Sequence, residues 1–322
     1  MISKRENTLR VIRFDRPEYV GGADWYPLIY KGCNHEGYDG GGHDCPVGTE
    51  WTDIWGTGWR KEQEGVMGFP YFNPLSDTES LKNYVWPNPN DERICGLIYK
   101  LKAGFNGGDV FLGGSHRDTL WEKAYMLVGM ENIMCYLHTE PEYAREILHR
   151  IMDFQLGIAK HYLNLGVEQV GLGDDLGTQR GLLIGKDLLY HFFVPEYKRL
   201  FELYKKHNVI INFHSCGHIE PVLDMFIELG VDVLNPVQAT ANDLAAVREK
   251  TDFKMALSGG VSTDVIMKGP VRAIESAVRD TIRLLGKNGG YFCGPDQGMP
   301  FPKQNIEAFY RAVEKYGKYP LC

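Results

Sequence analysis

From about residue 118 onward, stretches whose apolar residues recur every three to four positions alternate with short apolar runs bounded by glycine, asparagine and aspartate. The first pattern belongs to a helix that buries one face, and the second to a strand covered on both sides. Helices are expected over 118–138, 141–165, 186–207, 219–229, 243–250, 270–285 and 302–316, and strands over 167–172, 209–213, 231–234, 254–257 and 291–293. The punctuation agrees: Pro141 stands at a permitted first-turn position, Gly166, Gly230 and Gly317 lie just past helix ends, and Pro195 kinks or restarts the 186–207 stretch. Strand, loop and helix recurring every 20–40 residues or so build parallel βαβ units. With 25–30 and 110–112 as earlier strands, and no GxGxxG after the first of them, the fold class is α/β. The count suits a single (β/α)8 TIM barrel better than an open dinucleotide-binding sheet.

Residues 31–92 break the pattern. They are rich in glycine, aspartate, proline and aromatics and show little periodicity. An irregular stretch of this length inside a compact chain is expected to be a functional loop, here an elaborated N-terminal lid. It holds Tyr38, Trp51, Trp55, Trp59, Phe69, Tyr71, Phe72 and Trp86 among its glycines, flat apolar walls on a segment able to close. The plainer alternative is that these rings only pack the lid onto the barrel. Residues 1–322 read as one domain, a length that single barrels reach.

Composition narrows the partners. The net charge is −7, and the densest basic cluster, residues 205–207, ends a helical stretch where it complements the dipole, so no nucleic-acid footprint is expected. No window reaches about eighteen apolar residues, so no membrane span is expected. The opening residues lack the apolar core of a secretory signal, and seven scattered cysteines fit reduced thiols, which together imply a cytoplasmic protein. A chain this long buries its core without a structural metal, so a metal site would serve chemistry.

In such barrels the chemistry sits at the carboxyl ends of the strands. There the chain offers Asp174-Asp175, His214-Ser215-Cys216-Gly217, Asn235, Ser258 and Cys293-Gly294. His214 and Cys216, two residues apart in extended chain, project from one face, and Cys293 follows the last strand. One nitrogen and two sulfurs with an open fourth position suit a catalytic Zn²⁺; the bland alternative is a satisfied histidine and two small buried thiols. Asp174 and Asp175 are candidates for a proton donor or a fourth ligand, or else for a cap or Asx turn. Gln179 and Arg180 are candidates for gripping a substrate carboxylate, or simply surface residues, and Asp296 and Gln297 for orienting the substrate. His218 is expected to support the site without ligating. Cys33, Cys45, Cys95, Cys135 and Cys322 show no partner spacing.

The segments 173–177 (GDDLG), 212–218 (NFHSCGH) and 292–295 (FCGP), with 5–7 and 14–17 less specifically, resemble the uroporphyrinogen decarboxylase superfamily. Within it the chain is similar to the zinc-dependent corrinoid methyltransferases, both the coenzyme M and the O-demethylase kinds. The resemblance implies that His214, Cys216 and Cys293 hold zinc and that a methyl group passes to or from a corrinoid carried by a separate protein. The decarboxylases themselves carry an arginine segment near the N-terminus; here that region reads Ala23-Asp24-Trp25-Tyr26-Pro27, which leaves Trp25 and Tyr26 as substrate-contact candidates. The expected function is therefore a zinc-dependent methyltransferase moving a methyl group from a small methoxylated, aromatic substrate to its cognate corrinoid protein. Aryl oxygen leaves more easily than alkyl oxygen, as the phenol pKa of about 10 indicates. The rivals are a methylcorrinoid:thiol methyltransferase, a metal-independent decarboxylase, and a non-enzymatic corrinoid-binding protein with a closed four-ligand zinc site.

Overall fold

The computed structural model describes residues 2–32 and 45–321. Its strands are β1 (Trp25–Leu28), β2 (Glu50–Thr52), β3 (Gly58–Arg60), β4 (Phe69–Phe72), β5 (Phe111–His116), β6 (Gln169–Gly173), β7 (Ile210–His214), β8 (Val233–Val237), β9 (Ala256–Val261) and β10 (Tyr291–Pro295). Seven of them form a parallel sheet in the order β1-β5-β6-β7-β8-β9-β10, with helical crossovers on its outer face. The segment ahead of β1 runs along the free edge of β10: the Cys293 N–H donates to the Val20 carbonyl at 3.2 Å, and the Val20 N–H to the Gly317 carbonyl at 2.9 Å. The expected barrel type is present, with this segment in the place of an eighth ladder. Gly21 and Gly22 follow it directly, and such a stretch has little side-chain packing to extend a strand.

Period-2 alternation decides what each strand shows to the inside. On β7, Ile211 and Phe213 are buried outward, where the Phe213 ring meets Tyr197, Phe201 and Phe226 at 5.8, 5.9 and 5.1 Å. Asn212 and His214, in the opposite phase, open onto the interior. The floor of that interior is the Trp25 ring. A Cβ on Gly113 would stand 2.2 Å from it, which requires the bare backbone there, and one on Gly171 would press on it at 3.0 Å.

The long helices fall close to their expected places, as Pro141–Asn164, Val271–Leu285 and Lys303–Tyr316. The 118–138 pattern is two helices, Trp121–Val128 and Met130–Thr139, broken at Gly129 with φ 92°. Pro195 lies in the first turn of Val194–Lys206, after a π turn over Leu189–Phe193. Three α-helices went unforeseen among the described residues, Lys4–Arg13, Glu92–Ala103 and Thr263–Lys268; all are short, and the first two are closed by local caps from Ser3 and Asp91. Among the described residues no helix is long and apolar enough to cross a membrane.

The 31–92 region is more regular than its composition suggested. β2, β3 and β4 form an antiparallel sheet of three- and four-residue strands, too short for a periodicity to register. Trp51 stacks on Trp59 with centroids 6.3 Å apart. Asp53 accepts from the Trp55 and Thr57 N–H groups and from the Trp59 indole at 3.0 Å. Trp55 is buried, edge-on to Phe154 of the body at 4.7 Å, and so plants the lid in the helix layer. Tyr38, Cys33 and Cys322 lie outside the described residues.

His116, the last residue of β5, is completely buried. Its Nδ1 meets Gln155 Oε1 at 2.7 Å and its Nε2 the Tyr204 hydroxyl. Burial drives its pKa down to about 4, with the Gln155 bond pulling the other way. The unfolded chain, with an ordinary histidine near 6.5, therefore binds more protons than the native state between roughly pH 6.5 and 4. Stability contributed by neutral His116 is present above that window and is lost on acidification through it, up to about 3 kcal/mol. Urea titrations at pH 7, 5.5 and 4.5 should show this loss, and His116→Gln should flatten the dependence while lowering stability at pH 7. Parallel profiles for the two proteins would exclude His116 as the source.

Candidate metal centre and cavity

Parallel register brings three strand ends to one level, with Gly173 beside His214 and His214 beside Asn235. Two residues beyond β6 stands Asp175, and two residues beyond His214 stands Cys216. The donor atoms of Asp175, His214 and Cys216 all lie within 4.8 Å of one another. His214 Nε2 is 3.3 Å from Cys216 Sγ and 3.6 Å from Asp175 Oδ1. Ligand bonds of about 2.0–2.3 Å around tetrahedral zinc give ligand-to-ligand edges of about 3.3–3.8 Å, so these spacings fit a zinc ion.

The surroundings orient the donors. His214 Nδ1 meets Asn235 Oδ1 at 3.0 Å, and the Asn235 amide donates to Ser258 Oγ at 3.2 Å. That chain fixes the proton on Nδ1 and leaves the Nε2 lone pair facing the other two donors. The Cys216 N–H donates to Asp175 Oδ1 at 2.9 Å, and Gln297 Nε2 donates to Cys216 Sγ at 3.0 Å. Without a cation the Cys216 thiol is pushed up to about 12, first by burial and then by the Asp175 charge. A carboxylate, an imidazole and a thiol crowded together with no positive group of their own make a donor set that suits a borderline divalent ion.

Cys293 does not join this group. It pairs with Gly259 on β9, and its thiol is tied to Tyr291, two residues back on the same face of β10. Tyr291 is fully buried and donates to the Gly259 carbonyl at 2.7 Å. Burial raises the Cys293 thiol to about 12. The Cys293 thiol is thus engaged with Tyr291, while Asp175, a candidate fourth ligand, lies with His214 and Cys216.

The acidic pair is divided. The Asp174 carboxylate is buried and accepts from Leu120 N–H and Glu122 N–H at 2.9 Å each and from the Tyr197 hydroxyl at 2.6 Å. It caps the helix Trp121–Val128, whose N-terminus lies on a neighbouring crossover. Burial lifts its pKa to about 7, against the pull of those hydrogen bonds. Asp296 is likewise buried, accepting from Ala239 and Thr263 N–H groups at 3.0 and 2.8 Å. Tyr26 turns away, its hydroxyl on the Leu101 carbonyl at 3.0 Å. Gln179 and Arg180 are exposed on a turn beyond β6, where Gln179 accepts from Thr240 at 3.5 Å. His218 supports the loop through the Ala241 carbonyl, 2.6 Å from its Nδ1.

Asp175 and His214 form one side of a cavity of about 530 Å³ between barrel mouth and lid. Trp25, Trp59 and Phe69 supply flat walls, whereas Tyr71 and Phe72 face solvent. The lid rings thus divide between lining and packing. Among the lining residues that escaped the sequence reading are Arg117, Asp118, Glu122 and Tyr125. The available signal was the Gly113-Gly114-Ser115 run, which carries β5 on to His116 and makes Arg117 a strand-end residue. The Glu122 carboxyl is held well above the usual carboxylate range by burial and then by Asp118, Asp174 and Asp175.

Residues 67–316 match the family model described as uroporphyrinogen decarboxylase (URO-D). A methylated-thiol–coenzyme M methyltransferase of Methanosarcina mazei is 22% identical over 272 residues, covering 80% of this chain and 67% of that protein. A uroporphyrinogen decarboxylase of Cronobacter sakazakii is 23% identical over 274 residues, covering 78% and 72%. The solved structure of a methyltransferase from Methanosarcina mazei superposes with a TM-score of 0.70 over 98% of this chain and 99% of its own, at 14% identity, a likeness of fold.

The geometry separates two ligand sets experimentally. Metal analysis of purified protein should find about one zinc per chain. Asp175→Asn and Cys216→Ala should empty the site while Cys293→Ala keeps it filled, and Asn235→Ala should weaken zinc by about 10–100-fold in chelator competition. Loss of zinc from Cys293→Ala with retention in Asp175→Asn would restore the two-thiol set.

Proposed function

This chain belongs to the uroporphyrinogen decarboxylase family, and on that footing we propose that it is a zinc-dependent methyltransferase. In this reading it moves a methyl group from a small methoxylated aromatic compound to a corrinoid carried by a separate protein, with barrel and lid working as one domain. The observation that carries the reading is a cavity with aromatic walls that opens onto Asp175 and His214. The methyltransferase relative supports the reaction class. A porphyrinogen decarboxylase would have no use for the converging donors.

Asp175, His214 and Cys216 would hold the metal. Bound there, zinc supplies a Lewis acid that eases departure of the heteroatom losing its methyl group. Trp25 and Trp59 would offer apolar walls to the ring and help exclude water, which strengthens every polar contact inside. Asn235 keeps the proton off His214 Nε2, and Gln297 favours the anionic form of Cys216 by donating to its sulfur. Glu122, whose carboxyl burial raises well above the usual carboxylate range, faces the same space and would serve as the proton donor. The methyl carbon–oxygen bond breaks with its electron pair left on oxygen, and that oxygen leaves as a phenol carrying the Glu122 proton. The electron pair of the new bond to the methyl carbon would come from the reduced corrinoid as co-substrate, and Glu122 would be reprotonated from solvent.

Methyl–corrinoid formation, followed by absorbance with a reduced corrinoid protein, should be fastest with methoxybenzenes in a panel that includes methanol, methylamines and methylated thiols. Turnover of the thiols alone would favour the thiol reading that the relative's name suggests, and metal-free activity on a porphyrinogen would favour the decarboxylase. Separately, Glu122→Gln should slow methyl transfer by about 10²-fold with zinc content unchanged. Wild-type turnover in that variant would remove Glu122 from the proton path.

A further inference from the structure

Arg117 follows β5 directly and lines the cavity together with Asp175 and His214. It is exposed, and among the described residues no hydrogen bond or ion pair engages its guanidinium. Other arginines near strand and helix ends are committed: Arg5 to Glu168, Arg60 to Glu50, Arg199 to Glu196 and Asp153. Arg117 is also the only lysine or arginine among the described residues that line this space.

None of the three acids that line the cavity, Asp118, Glu122 and Asp175, forms an ion pair with it. Asp175 is turned toward His214 and Cys216, Asp118 is buried, and burial raises the Glu122 carboxyl well above the usual carboxylate range. Trp25, Trp59, Phe69 and Met126 make the rest of the wall largely apolar. A guanidinium there meets less competing water than at an open surface, and its fork matches a carboxylate in two parallel hydrogen bonds. We infer that Arg117 anchors an anionic group of the substrate, so that the enzyme acts on methylated compounds carrying a carboxylate or a similar anion. The methylated heteroatom would then lie at the Asp175–His214–Cys216 end and the anion at Arg117. A cavity of about 530 Å³ accommodates a single ring with both substituents. Gripping the anion was a role the sequence suggested for Arg180, which the fold leaves outside the cavity. The inference rests on the methyl-transfer reading for the word methylated, and on the cavity alone for the anion.

The test is binding, read by quenching of tryptophan fluorescence in metal-free protein without any corrinoid. The ligands are para-methoxybenzoate, methoxybenzene and methylthiopropionate. Arg117→Gln should weaken the two carboxylates by roughly 10–100-fold, the range of a charge-assisted hydrogen bond, and leave methoxybenzene within about twofold. Arg117→Lys should recover part of the loss. Preference for methoxybenzoate over methylthiopropionate identifies the aromatic source of the anion, and the reverse identifies the thioether source. The side chain holds nothing in place in the free protein, so the thermal midpoint should not move. Equal losses for charged and neutral ligands, no loss at all, or wild-type protein that binds methoxybenzene but neither carboxylate would overturn the inference. Tight, Arg117-dependent carboxylate binding without methyl transfer from any of the three would instead defeat the functional reading and leave this one standing.

Discussion

The mouth of the barrel hangs on one buried carboxylate. Asp174 directly follows β6 and takes hydrogen bonds from Leu120, Glu122 and Tyr197, which belong to two different crossovers. Burial has already lifted this carboxyl to about 7, so it keeps its charge only while these donors are in place. The same bonds fix the loop that carries Arg117, the first turn that carries Glu122, and the backbone of Asp175. Cavity wall, proton donor and metal ligand thus share a single attachment point, although the residue that provides it touches nothing in the cavity.

Much of the frame was legible because it is written in period. The Ile210–His214 strand and the helices Pro141–Asn164 and Val271–Leu285 alternate long enough for their phase to be read. His214 and Cys216 were legible for a related reason, since two ligand types two residues apart at a strand end carry their own geometry. Cys293 looked equivalent, yet its side chain shares the phase of Tyr291 and its thiol is tied to that residue. One residue of register separates the two outcomes, and strand ends are where register is hardest to read. The Gly113-Gly114 pair had a similar effect: it resembled the end of a strand and was in fact its middle, so Arg117 and Glu122 went unseen.

The lid shows the limit of composition as a guide. Its residues were read as irregular because no three-residue strand can display a repeat, yet Asp53 organises a tight turn and Trp55 enters the helix layer. The aromatics divide by depth. Trp55 packs, Trp59 and Phe69 line, and Tyr71 and Phe72 remain in water. Only the partners of each ring distinguish these roles, and those partners come from segments distant in sequence, such as Phe154.

The ring of Trp25 lying on Gly113 and Gly171 has a consequence for how such an enzyme can diversify. A side chain at Gly113 would need the tryptophan to move, and one at Gly171 would press on the same ring, so the three positions are coupled. Change at any one of them alters what the other two can hold. A new substrate shape is met with fewer linked changes at Met67, Phe69 and Pro70 of the lid, which line the same cavity and are exposed. Reshaping the floor calls for coordinated substitutions, whereas the roof can be altered one residue at a time.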